Sequence, residues 1–423
     1  MSSSVSKKEA KRLEKKRQRS EKKAALVADG SWTSNRKRRG QREFHSEMRD
    51  DIEVMVAETT AHTMPDGYRH VAPYEHTFQV HVKARWFGKS LLDLFLLEFG
   101  GFDVSYYTQA ITTGKITING AIAATTTLVR DGDYLEHHMH RHEPRVRCFR
   151  ASMIEYEDDD MVVVNKPSTI PVHPCGAYRH NSMTFILAID HQRHPLYPVH
   201  RLDRLTSGLL VLAKSPEKAQ TMSEQLVDRS MQKHYVAKVA GRFPNPDRDA
   251  TSSSLFPSFV DGVVTVAEDR WTPYWKVDAP LKRISESENR HGYAPDGKAS
   301  QTLIRVLTAS DEYSVLECLP LTGRQHQIRV HLQLLGFPIA NDPTYGPPSF
   351  LASIPLKRPL PTTPVTHDVL CPTCRDGEAA SFNWEQLECQ GLWLHAYRYK
   401  GAAFDVRVAL PAWAPANVVL NQG

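Results

Sequence analysis

The chain has 423 residues, 41% of them hydrophobic, and a net charge of +5 at pH 7, which is enough for at least one large core and points to two folded domains with tails. No stretch approaches eighteen uninterrupted apolar residues, since even residues 91–102 are broken by Asp93, Glu98 and a Gly pair; no candidate for a membrane-spanning helix is left. Six scattered cysteines, Cys148, Cys175, Cys318, Cys371, Cys374 and Cys389, argue against a disulfide framework and for a reducing compartment.

The charge is unevenly placed. Residues 1–42 hold 15 Lys or Arg against 4 Asp or Glu, a net +11, which leaves −6 for residues 43–423. Residues 1–45 therefore read as a disordered basic tail, serving as a polyelectrolyte arm for RNA or, through Arg36-Lys37-Arg38-Arg39, as a nuclear-import signal. A secretory signal is not expected, because no apolar core follows the N-terminal charges. Glu9, Glu14 and Glu21 interrupt the Lys-rich run, so a mitochondrial presequence fits less well. Residues 46–84 read as a linker and N-terminal extension.

Residues 85–145 carry the first folded pattern. Ser90 is placed to cap a helix with Asp93 at its third position, leading into Leu94, Phe95, Leu97 and Phe99. A second short helix follows from about Ser105 through Tyr106, Tyr107 and Ala110, with Gly114 to stop it. Lys115-Ile116-Thr117-Ile118 alternates and meets Asn119-Gly120, a strong hairpin signal.

From about residue 150 the texture becomes β-rich. Residues 161–164 and 209–213 read as buried strands, and Ser215-Pro216 opens a helix carrying Met222, Leu226 and Val227 on one side. Lys233 to Val239 alternates, with Tyr235, Ala237 and Val239 on one face. Strands at 302–307 and 313–319 precede Thr322-Gly323-Arg324-Gln325, a capping-box pattern opening a helix that Gly336 closes. In that helix Ile328, Leu332 and Leu335 form a core stripe, which leaves His326, Arg329 and Gln333 on another face, so that Arg329 can project away from the core toward a site. Two segments, near 243–298 and 347–390, read as loop insertions. The second holds His367, Cys371, Cys374 and Cys389, which could bind a structural zinc, although a single Cys-x2-Cys pair equally suits unpaired thiols. Leu392-Trp393-Leu394-His395-Ala396 reads as a returning core strand.

The chemistry-bearing motifs come in a fixed order. They are Asn165-Lys166-Pro167 with Val172-His173-Pro174, then His200-Arg201-Leu202-Asp203-Arg204-Leu205-Thr206-Ser207-Gly208, then Lys233-His234-Tyr235-Val236-Ala237. Thr322 to His331, Gly336 to Gly346 and Leu394-His395-Ala396 follow. In this combination residues 150–410 resemble the RluA-type pseudouridine synthases. The resemblance implies an α+β fold: a mixed, largely antiparallel curved sheet with a central catalytic cleft, preceded by a small S4-like RNA-binding module at 85–145. It also implies isomerisation of uridine to pseudouridine in a folded RNA. Transfer RNA is the first expectation, then messenger and ribosomal RNA. No cofactor, no nucleotide and no membrane are needed, and a monomer in the cytoplasm or nucleus is expected, with the mitochondrion left open.

The resemblance assigns catalysis to Asp203, Tyr235 and Arg329. A carboxylate beside the sugar can attack C1′ or act as a base on the ribose, and these alternatives stay open. Arg329 would keep Asp203 ionised and aimed, and Tyr235 would stack on the base and take its C5 proton. The uridine must be flipped out. Arg201 is the candidate to fill the gap, with His200, Arg204, Arg324, His326 and Lys115 as further RNA contacts. The rival readings are a non-catalytic RNA-binding or chaperone protein on the same fold, a zinc-dependent interaction protein and a base glycosidase. The full set of Asp203, Tyr235 and Arg329 favours the synthase, because a pure binder has no need of it.

Overall fold

The structure, a computed structural model, describes residues 60–415 apart from 64–66, 100–101, 247–255, 257–259, 267–268, 286–288, 354–390 and 402–403. The basic tail and the four zinc candidates His367, Cys371, Cys374 and Cys389 lie outside the described residues.

Strands β1 (Ala61–Thr63) and β2 (Tyr68–Val71) join β7 (Val146–Arg147) in a small sheet. A four-stranded sheet runs β3-β6-β4-β5, from β3 (Tyr74–His81), β4 (Ile116–Ile118), β5 (Ala121–Ile122) and β6 (Tyr134–Arg141). β3 falls within the stretch read as a linker. Its polar alternation hides the strand, yet all eight of its residues pair with β6. Ser90 accepts the Asp93 N–H and caps α1 (Leu91–Leu94), which loosens into a π-turn over Phe95–Phe99. Leu91, Leu94 and Phe95 are buried while Leu97 and Phe99 are exposed. α2 (Val104–Thr112) is capped by Asp103, one residue earlier than the pattern suggests. Asn119 and Gly120 both take positive φ, 53° and 77°, as the hairpin from β4 to β5 requires.

Among the described residues the main sheet joins eleven strands. These are β8 (Ile154–Glu157), β9 (Met161–Lys166), β10 (Tyr197–Pro198), β11 (Ser207–Ala213), β12 (Gln232–Ala240), β13 (Val260–Val266) and β14 (Asp269–Asp278). Beyond the separate hairpin of β15 (Leu281–Ser285) and β16 (Arg290–Tyr293) come β17 (Gln301–Ala309), β18 (Tyr313–Pro320), β19 (Leu394–Lys400) and β20 (Asp405–Arg407). The order is β13-β14-β17-β18-β12-β19-β11-β9-β8, with β10 on β11 and β20 on β19. All pairs are antiparallel except β11 with β19. The mixed, largely antiparallel α+β architecture expected from the sequence is therefore present.

Among the described residues the helices that follow are α3 (Met183–Ile189), α4 (Pro216–Val227), α5 (Gln327–Leu334) and α6 (Pro348–Ser353). On α4, Met222 is buried but Val227 is 83% exposed. Five residues on, it has rotated off the stripe. The first insertion is also not loop alone, since β13 and β14 extend the sheet. Their signal is diluted by Pro273 and by charges, but Tyr274, Trp275 and Val277 are buried, and each such side chain contributes roughly 2 kcal/mol of apolar burial. Tyr274 also donates to Glu317, which His234, Arg305 and Tyr397 surround as well. Burial alone would raise the Glu317 pKa, but His234 and Arg305 bring it down to about 2.

Gly208 allows β11 and β19 to meet. Its φ is +109°, and a Cβ there would collide with the backbone carbonyl of Ala396. Gly208→Ala should lower stability by about 3 kcal/mol, read from chemical denaturation; a change within experimental error would show that the strands can separate at no cost.

Candidate active site

The loop ahead of β11 positions Asp203. Leu202 is buried beneath it, Thr206 donates its N–H to the Asp203 carbonyl at 3.1 Å, and His200 Nε2 accepts the Val211 N–H at 3.3 Å. Beneath the same loop lies Lys166, fully buried at 0% exposure, whose Nζ donates to the carbonyls of Pro167, Ile170 and Arg204. Burial lowers its pKa to about 7 although Asp203 pulls the other way. Lys166 thus ties the end of β9 to the loop that carries the acid.

Asp203 faces a cavity of about 390 Å³ where β12 and β19 meet the Thr322–Ile328 segment. Its lining brings together His200, Arg201, Asp203, Tyr235, Arg324, His326 and Arg329 from the sequence-predicted set. It also holds Lys233, whose ammonium has no hydrogen-bond partner among the described residues. Arg201, Lys233, Arg324 and Arg329 outnumber the single acid, so the cavity favours an anionic ligand.

Arg329 is where the structure departs most from the sequence. It does face the cavity, but it is buried there, at 5% exposed, rather than standing clear of the core. Asp342, itself 0% exposed, takes its Nε and Nη2 at 2.6 and 2.8 Å, and Nη1 reaches Asp203 Oδ2 at 3.2 Å. A buried guanidinium is tolerable only with such pairing. The pairing also explains Asp203: burial would raise its pKa, but Arg329 and then His326 hold it below the ordinary carboxylate range. Asp342 was legible as part of Asp342-Pro343-Thr344-Tyr345-Gly346, but only the fold reveals that it supports Arg329.

The start of α5 needs the same revision. The helix begins at Gln327, two residues after the capping-box pattern ends, because His326 takes a left-handed φ of 56°. Gln327, not Gln325, reaches back: its Oε1 accepts from the Thr322 hydroxyl at 2.7 Å and the Arg324 N–H at 3.0 Å. Residues 322–325 are thus freed to line the cavity.

Tyr235 is 8% exposed, with its hydroxyl 3.3 Å from that of Tyr399. Burial pushes its pKa up to about 12. Burial also lowers His200 to about 3 and His326 to about 4, so neither offers a charge to phosphate at neutral pH. Arg201 and Arg324 are exposed at the rim, with Arg324 Nε on the Ala299 carbonyl at 3.0 Å. The Arg204 guanidinium lies over the Tyr178 ring at 5.2 Å. Lys115, at the start of the β4 hairpin, is not in this cavity. No group of three or more potential metal ligands occurs among the described residues.

Residues 160–334 match the family described as RNA pseudouridylate synthase. The chain is 41% identical over 291 residues to pseudouridylate synthase RPUSD2 of Mus musculus, covering 69% of this chain and 47% of that protein. It is 33% identical over 380 residues to RNA pseudouridine synthase 7 of Oryza sativa subsp. japonica, covering 82% and 91%. To the mitochondrial tRNA pseudouridine(32) synthase of Saccharomyces cerevisiae it is 36% identical over 332 residues, covering 78% and 64%. The chain thus spans about half the length of the mouse relative.

Proposed function

The chain belongs to the RNA pseudouridylate synthase family, and from that premise we propose that it isomerises uridine to pseudouridine in a folded RNA, transfer RNA first. The observation that carries the reading is the ionised Asp203, held by Arg329 and Asp342, opening into a cationic cavity beside Tyr235. In the nucleophilic route, a bond forms between Asp203 and C1′ as the C1′–N1 pair leaves with uracil. After the base rotates, C5 bonds to C1′, the carboxylate is released, C5 loses a proton and N1 gains one. In the alternative route the carboxylate removes the C2′ proton as the C1′–N1 pair leaves with uracil and a C1′–C2′ double bond forms; C5 then bonds to C1′ as the proton returns to C2′, C5 loses its proton and N1 gains one. A carboxylate kept ionised serves either.

The cavity at the middle of the sheet would be the catalytic cleft, and residues 85–145 with β3 an S4-like module that adds RNA contacts. Lys233, Arg201 and Arg324 supply charge for the phosphates around a flipped nucleotide. Lys115 would touch RNA from the module, and Arg204 from the catalytic loop. The reading needs no cofactor and a single copy of the chain. Among the described residues no helix is long and apolar enough to cross a membrane. The relatives' names support tRNA as substrate, since one of those compared is named for position 32 of tRNA. Mapping pseudouridine across cellular RNA with and without the protein tests the substrate: loss of defined tRNA sites is expected, and an unchanged map would overturn it.

Tyr235→Phe should retain RNA affinity, because the ring remains, while turnover falls about a hundredfold through loss of the hydroxyl. Wild-type turnover in Tyr235→Phe with a defect only in Tyr235→Ala would reduce Tyr235 to a stacking platform.

A further inference from the structure

We propose that Asp203 reacts through Oδ1, and that His326 is a positioning residue whose Nε2–H, fixed by the Tyr345 hydroxyl, holds Oδ2 beside Arg329; this rests on the synthase reading above. Tyr345 is 1% exposed. Its hydroxyl accepts the His291 N–H at 2.8 Å and lies 2.9 Å from His326 Nδ1. A phenol has one proton to give, and among the described residues His326 Nδ1 is the acceptor within reach. An imidazole that accepts at Nδ1 carries its proton on Nε2.

That Nε2 stands 3.8 Å from Asp203 Oδ2, the oxygen that Arg329 Nη1 already reaches at 3.2 Å. Both donors therefore converge on one carboxylate oxygen. Oδ1 receives no hydrogen bond from a described residue, which leaves its lone pairs for the sugar. The distance of 3.8 Å is longer than a hydrogen bond, as such contacts often are before substrate tightens them. Burial, opposed in part by Asp203, lowers His326 to about 4, so the ring stays uncharged near neutral pH.

The support for both donors is shared. Asp342 Oδ1 accepts the N–H groups of Thr344 and Tyr345 at 2.8 and 2.9 Å while Asp342 holds Arg329. The Arg329 guanidinium in turn lies over the Tyr345 ring at 4.9 Å. One buried carboxylate thus sets the positions of Arg329 and of the hydroxyl that orients His326. The left-handed backbone of His326 places its ring over the acid, and His is among the few residue types that tolerate this conformation.

The test uses the full chain, an RNA substrate tritiated at uridine C5, and 15N spectra of the histidine rings assigned against His326→Asn, which also suits the left-handed backbone. Wild-type His326 should show a bare Nδ1 and a protonated Nε2, and Tyr345→Phe should show mixed tautomers. His326→Asn should lower kcat about tenfold, the loss of one hydrogen bond to a charged group, with KM within about twofold. The acidic limb of its pH profile should move to higher pH, because Asp203 loses a donor. A protonated Nδ1 in the wild type, or an unchanged kcat and acidic limb in His326→Asn, would overturn the proposal. If the wild type itself releases no tritium, the synthase reading fails, while the ring spectra still decide the His326 assignment.

Discussion

Asp203→Asn should bind RNA as the wild type does and form pseudouridine at least about a thousandfold more slowly. The substitution is nearly isosteric and removes the negative charge that either route requires. The fold should hold, because Arg329 keeps its bidentate partner Asp342 when Asp203 becomes neutral. For the same reason Asp203→Ala is an equally usable test, which the sequence alone did not suggest. RNA affinity by filter binding and pseudouridine by site mapping separate binding from chemistry. Turnover within tenfold of wild type would remove Asp203 from the reaction.

The second large effect is expected at Asp342, which touches no substrate in this account. Asp342→Ala leaves Arg329 buried with only the half-buried Asp203 as partner and strips an acceptor from the Thr344 and Tyr345 N–H groups. Breaking a buried pair in this way costs roughly 3–5 kcal/mol. Chemical denaturation should show a loss of that size, with activity falling as well, because Arg329, Tyr345 and His326 lose their common support. Asp342→Asn keeps the shape and one acceptor oxygen and should fall between. A stability within about 0.5 kcal/mol of wild type, the range of ordinary surface substitutions, would mean that Arg329 finds another partner.

Local chemistry explains which parts could be read without coordinates. The Ser90 cap, the Asn119-Gly120 hairpin and the strands over 161–164 and 209–213 depend on residues close in sequence, and all are present, the strands running two residues further at one end. What failed depends on distant packing. The burial of Arg329 is decided by Asp342, thirteen residues away and beyond the end of α5. The strands at 260–278 were hidden by Pro273 and by charged residues until β17 supplied an edge to pair with. The left-handed backbone of His326 and its contact with Tyr345 had no signal in the local pattern either. Lys166 was visible as a motif residue, but its three carbonyl partners come together only when the loop closes. Asp203 and Tyr235 were singled out by the motif order rather than by any property of the isolated residues, and the fold brings both to one cavity.

The most direct measurement is tritium release from unmodified tRNA carrying C5-tritiated uridine, incubated with the purified protein alone. Forming a C5–C1′ bond expels the C5 hydrogen, so the account predicts one tritium released per modified site, a pseudouridine at that site and no free uracil. RNA binding without tritium release would show a binder on a synthase fold, and free uracil would show glycosidase chemistry; either result would contradict the account.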